Sequence, residues 1–373
     1  MRSDQAKGAA LVLAGLTGLT GAAWAIRHRQ KKGKSYEDLD SVVSFSARLV
    51  AGMRAYESRE ADPLFRDPLA EVLAGKQGME GAKMTMKELD ASEGNDENEH
   101  GETAHDSTSA SKKEPLQRGY MVGRVALRTV FFDTKLLDAV TSGPPAAIKQ
   151  VVLLGAGMDT RAWRLPLPEG VSWFEVDRSD VLKAKKKALK QAGAAFSEQE
   201  NNRGAKYPLK AASYITCSVD LENQNWVDGL IARGFDPEVP TCWILEGLVM
   251  YLSPVAVEKL LKGMHAVSAT GSRLLIMAFC GTDIKEWYTR TATSQSVGWV
   301  ADLVATFKSS FPKDADVYLA EKGWQLKTSM GYKDMAEAYA RGMPWNTDLS
   351  NGSNTLVAED DYTSYIEAYA LMR

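Results

Sequence analysis

The sequence predicts an α/β protein built on a doubly wound, mostly parallel sheet of seven strands. Three observations predict it. From Arg118 to the C-terminus, short apolar runs alternate with stretches of helical periodicity, the pattern of a parallel sheet covered by helices. The first run breaks directly into a glycine turn and a helix start, "VVLLGAGMDTRAWRL" from Val151 to Leu165. Acidic residues then close the second, third and fourth runs, where the carboxyl ends of strands in an open sheet gather ligands.

Taken in order, the 373 residues suffice for one large domain or two ordinary ones, and 45% apolar residues supply a core. Residues 1–40 form a first unit. The uncharged stretch from Gly8 to Ile26, followed by "RHRQKKGK", is close to the ~20 residues of a spanning helix, and its basic flank predicts a membrane anchor with the body on the cytoplasmic side. A cleaved signal or organelle-targeting segment, or a plain cytoplasmic protein, is the rival reading, and Ala23 and Ala25 fit a cleavage pattern. Residues 41–75 read as a helical cap. There "SFSARLVAGMRAYES" places Phe45, Leu49, Met53 and Tyr56 at helical spacing, and a second short helix closes at Gly75. Residues 76–117 are rich in Glu, Asp, Ser, Gly and Asn and read as a disordered acidic insertion. His100 and His105 fall within it, with no ligand cluster around them.

Residues 118–373 carry the sheet. The helix "RGYMVGRVALRTVFFDTKLLDAV" leads to strand "QVVLLGAG"; "VSWFEVD", "YITCSVDL", "TCWILEGLVMYL" and "SRLLIMAF" follow as further strands, and "VYLAEKGWQLKTSM" as a final pair. Helices such as "DVLKAKKKALKQAG" and "SPVAVEKLLKGMHAV" fit between them. The lysines of "KAKKKALK" read as a solvated face, or else as a contact for an acidic partner or membrane surface.

Charge narrows the function. With 45 basic and 48 acidic residues the net is -3, which argues against a broad positive nucleic-acid surface. Cys217, Cys242 and Cys280 are odd in number and lack ligand spacing, so neither a disulfide framework nor a metal site is expected.

The glycine turn selects among ligands. A dinucleotide site favours a third glycine and an uncluttered helix N-terminus for the pyrophosphate. After Gly155 and Gly157 this chain has Met158, Asp159 and Thr160, and Asp159 would repel that group. An NAD-dependent oxidoreductase is therefore disfavoured. A donor with an ammonium group and no phosphate, such as S-adenosyl-L-methionine, would tolerate the carboxylate. Asp177 lies at the end of the second strand, placed to accept from both ribose hydroxyls or to cap the next helix. Glu175 shares its strand face and either assists or pairs with a basic neighbour. Asp220 can accept from an adenine amino group while Leu221 covers the ring; alternatively Asp220 caps a turn. Glu246, in an apolar setting, needs a cationic or hydrogen-bonding partner, such as the donor's ammonium group or an internal Arg or Lys.

Together, "LGAGMDTRAWRL", "EVD", "DL", "GFDP", "PTCWILEGLVMYL" and the upstream "RAYES", "DPLA" and "RTVFFD" resemble the leucine carboxyl methyltransferase superfamily, especially its branch of S-adenosyl-L-methionine-dependent methyltransferases. The likeness covers about Ser41 to Arg373. It implies a class I, Rossmann-like methyltransferase with S-adenosyl-L-methionine as cofactor, held by Gly155, Gly157, Asp177, Asp220, Leu221 and Glu246. It further implies an arginine before the first strand on the methionine carboxylate, mapped to Arg124, with Arg128 the second choice; the planar guanidinium fork suits that task.

No Ser-His-Asp or Cys-His arrangement is present, and no catalytic base is assigned. A carboxylate acceptor needs none near neutral pH, so O-methylation of a carboxylate, on a small molecule or a protein C-terminus, is the expected reaction. Tyr251 is a base for a phenol acceptor or simply packs. His265 reads as core or surface. Trp287, Trp299, Trp324 and Trp345 either line an acceptor pocket or pack the core. A non-catalytic, membrane-tethered protein that binds the donor is the competing function.

Overall fold

The computed structural model describes residues 42–93, 120–143, 147–222, 225–283, 305–339 and 362–371. Their centre is a seven-stranded sheet made of β1 (Gln150–Leu154), β2 (Ser172–Asp177), β3 (Ser213–Ser218), β4 (Thr241–Leu245), β5 (Arg273–Phe279), β6 (Trp324–Met330) and β7 (Thr363–Ala370). The order is β3-β2-β1-β4-β5-β7-β6. Pairings from β3 through β5 are parallel, and β7 runs antiparallel to both β5 and β6. The doubly wound seven-stranded sheet is thus as the sequence predicts.

All five residues of β1 and all five of β4 are buried, as expected for central strands covered on both faces. Alternation splits them between two cores. Val151 and Leu153 join the side covered by α1 (Val42–Glu57), α2 (Ala70–Glu93), α3 (Tyr120–Thr141) and α5 (Ser179–Ala192), the short α4 (Arg161–Arg164) opening the chain after β1. Val152 and Leu154 face the side covered, after α6 (Glu198–Asn202), by α7 (Trp226–Ile231), α8 (Pro254–Ala266) and α9 (Ala315–Ala320). The chain leaves β1 toward β2 and β3, then returns to the other side of β1 as β4. That reversal leaves a crevice beyond the carboxyl ends of β1 and β4.

Three expectations change. The segment from 76 is not wholly without structure: α2 passes Gly75, a kink with φ 60°, and continues to Glu93. Its ordering comes from small residues. A Cβ on Gly52 would meet the carbonyl oxygen of Gly78 at 2.6 Å, and one on Gly78 would meet that of Arg48 at 2.5 Å, so α1 and α2 cross nearly backbone to backbone, with Ala82 buried beside them. Residues 94–117 lie outside the described residues. In the tail, Ala315–Ala320 is helical; only Trp324–Met330 is a strand, and its partner is the C-terminal Thr363–Ala370. The lysine helix is not solvated throughout, since Lys185 is wholly buried.

The apolar stretch from Gly8 to Ile26 lies outside the described residues. Among those described, no helix is long and apolar enough to cross a membrane, so the anchor reading gains no support. His100, His105, Trp287, Trp299 and Trp345 also lie outside them. A tenth helix, α10 (Tyr332–Tyr339), packs along α3.

Candidate active site

The crevice is a cavity of about 570 Å³, within the range of small-molecule sites. Its wall takes in the tips of β1, β2, β3 and β4, one face of α1, and residues 305–308. Six of the seven sequence-predicted residues meet there: Gly155, Gly157, Asp177, Asp220, Leu221 and Glu246.

The glycine turn is shaped by close approach. Gly155 and Gly157 have φ of 70° and 47°, the left-handed region that glycine enters without cost. A Cβ on Gly155 would stand 2.9 Å from Leu248 Cδ1, and one on Gly157 would stand 3.1 Å from the Ala47 Cβ. Asp177 is fastened to this turn: its Oδ2 accepts from the Gly157 N–H and its Oδ1 from the Arg178 N–H, both at 2.7 Å. Burial pushes its carboxyl up from the usual range, and those two bonds oppose the shift. Each oxygen keeps lone-pair capacity for a hydroxyl in the cavity. Asp220 Oδ1 accepts from the Glu222 N–H at 3.0 Å, a local turn bond, while the residue also lines the cavity beside Leu221.

Glu246 has internal partners. Its Oε1 is 2.7 Å from Arg128 Nε and its Oε2 is 2.8 Å from Arg161 Nη2. Burial would raise its pKa, but Arg161 and Arg128 outweigh it and hold the group below the ordinary range. Asp159, beside the glycine turn, accepts from the Arg161 backbone at 2.7 Å and pairs with its guanidinium. The pull of Arg161, Lys185, Arg164 and Arg54 there outweighs burial and likewise lowers its pKa.

Arg124 is the residue the structure does not bring in. Its guanidinium lies 4.0 Å from the centre of the Tyr332 ring, and it is not part of the cavity wall. Arg128, one turn further along α3, is. Both are on one helical face, so spacing alone could not choose between them. Glu175 is also withdrawn: it accepts from Lys185 Nζ at 2.7 and 2.8 Å and from the Tyr214 hydroxyl at 2.6 Å, all beneath the wall.

Sequence reading missed the contribution of α1. Val43, Ala47, Val50 and Arg54 form a stripe at helical spacing that lines the cavity. Arg54 donates to Asp67 Oδ2 at 3.0 Å and to the Met158 carbonyl at 2.5 Å, and Thr160 Oγ1 donates to the same Asp67 oxygen at 2.7 Å. The motifs "RAYES", "RDPLA" and "GMDTR" are thus wired together over a hundred residues of chain. A guanidinium among helix-face apolar residues was the available signal. Residues 305–308 were the other omission. Phe307 packs 5.4 Å from Tyr251, which lines the cavity and whose hydroxyl burial pushes up to about 12.

His265 stands away from the wall, its Nε2 3.1 Å from the Leu371 carbonyl and its ring against Trp324. Trp324 is buried under α8, donating to the Leu261 carbonyl at 3.0 Å, and packs rather than lining the cavity. Among the described residues no group of three or more His, Cys, Asp or Glu could hold a metal.

The arrangement fits an adenosyl sulfonium. A glycine cradle that a Cβ would fill, a carboxylate at the tip of β2 and an Asp-Leu pair at the tip of β3 suit a nucleoside; Asp159 opposes a pyrophosphate. The family model for leucine carboxyl methyltransferases matches residues 47–265. The chain belongs to that family. The chain is also similar to proteins named as S-adenosyl-L-methionine-dependent methyltransferases. A Mycobacteroides abscessus protein provisionally named as one is 33% identical over 322 residues, covering 84% of this chain and 90% of its own. One from Mycobacterium tuberculosis is 34% identical over 315 residues, covering 82% and 79%. A crystal structure of a Thermobifida fusca protein, provisionally named a methyltransferase, matches with a TM-score of 0.47 at 12% identity, covering 87% of this chain and 94% of that one. As a member of this methyltransferase family, the chain uses S-adenosyl-L-methionine as its cofactor.

Proposed function

We propose that the chain transfers the methyl group of S-adenosyl-L-methionine to a carboxylate oxygen of a small molecule or a protein C-terminus. What supports this reading is the make-up of the wall, which among the described residues holds no histidine and whose acids Asp159 and Glu246 are bonded to arginines. Tyr251 is held as a neutral phenol, with its hydroxyl pushed up to about 12, so it can donate a hydrogen bond but is a poor base at neutral pH. Asp159 and Glu246 are held ionised by arginines and hold protons weakly. A carboxylate, alone among common oxygen acceptors, arrives already deprotonated.

Gly155, Gly157, Asp177, Asp220 and Leu221 would hold the adenosyl part, and the alternating charges of Arg128, Arg54, Asp159 and Glu246 would face the amino-acid end. When bound, the sulfonium supplies a methyl group that needs no further activation. The chain's task is alignment and exclusion of water, to which the apolar wall of Val43, Val50 and Phe307 contributes.

The test is transfer of radiolabelled methyl from the donor to panels of carboxylic acids, phenols and amines. Label that leaves as methanol on mild alkaline treatment supports an ester product. Alkali-stable label on phenols or amines overturns it, and donor binding with no transfer to any extract favours the scaffold reading.

A further inference from the structure

Beneath the cavity floor one guanidinium serves three carboxylates. Arg161 is 2% exposed and does not belong to the wall. Its Nε is 2.6 Å from Asp133 Oδ1, its Nη2 is 2.8 Å from Glu246 Oε2, and its Nη1 pairs with Asp159 Oδ2. Asp133 is anchored in turn by Arg164, at 2.5 and 2.7 Å. Of the three carboxylates, Asp159 and Glu246 face the cavity. Each nitrogen of the fork is thereby assigned to a different acid, on β1's turn, on β4's tip and on α3.

Stability alone is a weak account of such a cluster. Buried ion pairs gain little net energy over well-packed apolar side chains, because desolvation offsets the attraction. What the fork supplies is placement: two acids close together on one wall would repel, and one of them would take up a proton. Asp159 is faced by Arg161, Lys185, Arg164 and Arg54, and Glu246 by Arg161, Arg128, Arg54 and Asp159 itself. Only Arg161 bonds both.

We infer that Arg161 is a positioning residue: without touching the donor, it keeps Asp159 and Glu246 fixed and charged where the donor's amino-acid end is received. This rests on the reading of the cavity as the donor site. Replacing the fork by a single ammonium leaves the charge and three donors, but they radiate from one atom and cannot reach the three separated positions of the planar fork. Replacing it by an apolar chain takes away Asp159's paired guanidinium and one of the two on Glu246, which keeps Arg128, so Asp159 is the acid whose hold on a proton rises.

The test uses S-adenosylhomocysteine as probe, by calorimetry between about pH 5 and 8, on wild type, Arg161→Lys and Arg161→Met, with thermal melts to confirm folding. Wild-type affinity is expected to vary over that range only as far as groups outside this pair dictate. R161K binds several-fold more weakly with an unchanged profile. R161M binds more weakly still, and its affinity falls further than the wild type's toward the acid end of the range as Asp159 takes up a proton. Wild-type affinity in R161K, or a wild-type profile in folded R161M, overturns the inference. Carboxyl carbon NMR of the wild-type protein needs no variant: neither Asp159 nor Glu246 should titrate between about pH 5 and 8, and titration of either in that window also overturns it. Should wild type fail to bind the probe at all, the donor-site reading falls, while the NMR result still decides whether both acids are held charged.

Discussion

Replacing Asp177 by alanine tests the link between turn geometry and donor binding most directly. The carboxylate makes two kinds of contact. Toward the protein it accepts the Gly157 and Arg178 N–H groups, both at 2.7 Å. Toward the cavity, its remaining lone pairs would accept from ribose hydroxyls of a bound donor. Hydrogen bonds to a charged group contribute about 1.5–3 kcal/mol each, and less where water competes. Asp177 is only partly covered, so D177A should weaken S-adenosylhomocysteine binding by about 1–3 kcal/mol, a fall in affinity of roughly fivefold to a hundredfold. The loss of the Gly157 bond should also loosen the turn, lowering the melting temperature modestly. D177N separates the two effects: its amide oxygen can still accept from Gly157, but it has lost the charge and one acceptor, so its affinity should lie between. Calorimetry gives the affinities and a thermal melt checks the fold. A folded D177A protein that binds within about twofold of wild type would remove Asp177 from the site.

Three further outcomes follow from the packing and charges. Lys185→Met leaves Glu175 buried with only Tyr214 and Trp173 as donors, so it should cost about 3–5 kcal/mol in urea unfolding, with the pair K185M/E175Q recovering much of it; a loss under about 1 kcal/mol would contradict the buried pair. In the same variant Glu175 should titrate still higher than it does now, so its proton is held more tightly folded than unfolded and the deficit should grow as pH rises above about 4.3. Gly78→Ala sets a methyl 2.5 Å from the Arg48 carbonyl oxygen and should destabilise by about 1–3 kcal/mol, although alanine is the better helix former; a stabilised protein would disprove the close crossing. Asp159 and Glu246 titrate below their ordinary values, so the stability they add is present above the unfolded-state pKa of about 4 and is lost as pH falls through the lower folded values; the gap between wild type and E246Q should therefore hold through neutrality and close below about pH 4, and a gap already closing near pH 6 would refute it.

The parts of the fold that could be read from the sequence are those in which one element's own pattern decides its structure. β1 and β4 are continuous apolar runs because both faces are covered, and their turns carry the glycines and acids that define the crevice. The C-terminal strand β7 was not legible, because "TSYIEAYA" gains its place only by pairing with β5 and β6. The extension of α2 was missed for a related reason. Its composition lacks large apolar residues, and ordering comes instead from Gly52, Gly78 and Ala82 allowing two backbones to touch, a gain in contact that no hydrophobicity count registers.

The charges beneath the cavity were the least legible part of the site, and the reason is topological. Asp67, Asp133, Asp159 and Glu246 are separated by long stretches of chain, yet Arg54, Arg128, Arg161 and Arg164 join them into one lattice, Arg164 reaching Asp67 at 3.9 Å. In sequence each of these residues reads as half of an unknown pair, and Glu246 reads as needing a cationic or hydrogen-bonding partner that only the fold names as Arg128 and Arg161. Arg124 and Arg128 show the limit most sharply: one turn apart on α3, they differ only in what the fold sets opposite them, the Tyr332 ring for one and Glu246 for the other. A donor's carboxylate would meet the guanidinium that reaches the cavity. Substituting Arg128 should therefore weaken S-adenosylhomocysteine binding more than substituting Arg124, and calorimetry on R128Q and R124Q, each with its thermal melt, would decide between them; the reverse order would return the carboxylate to Arg124.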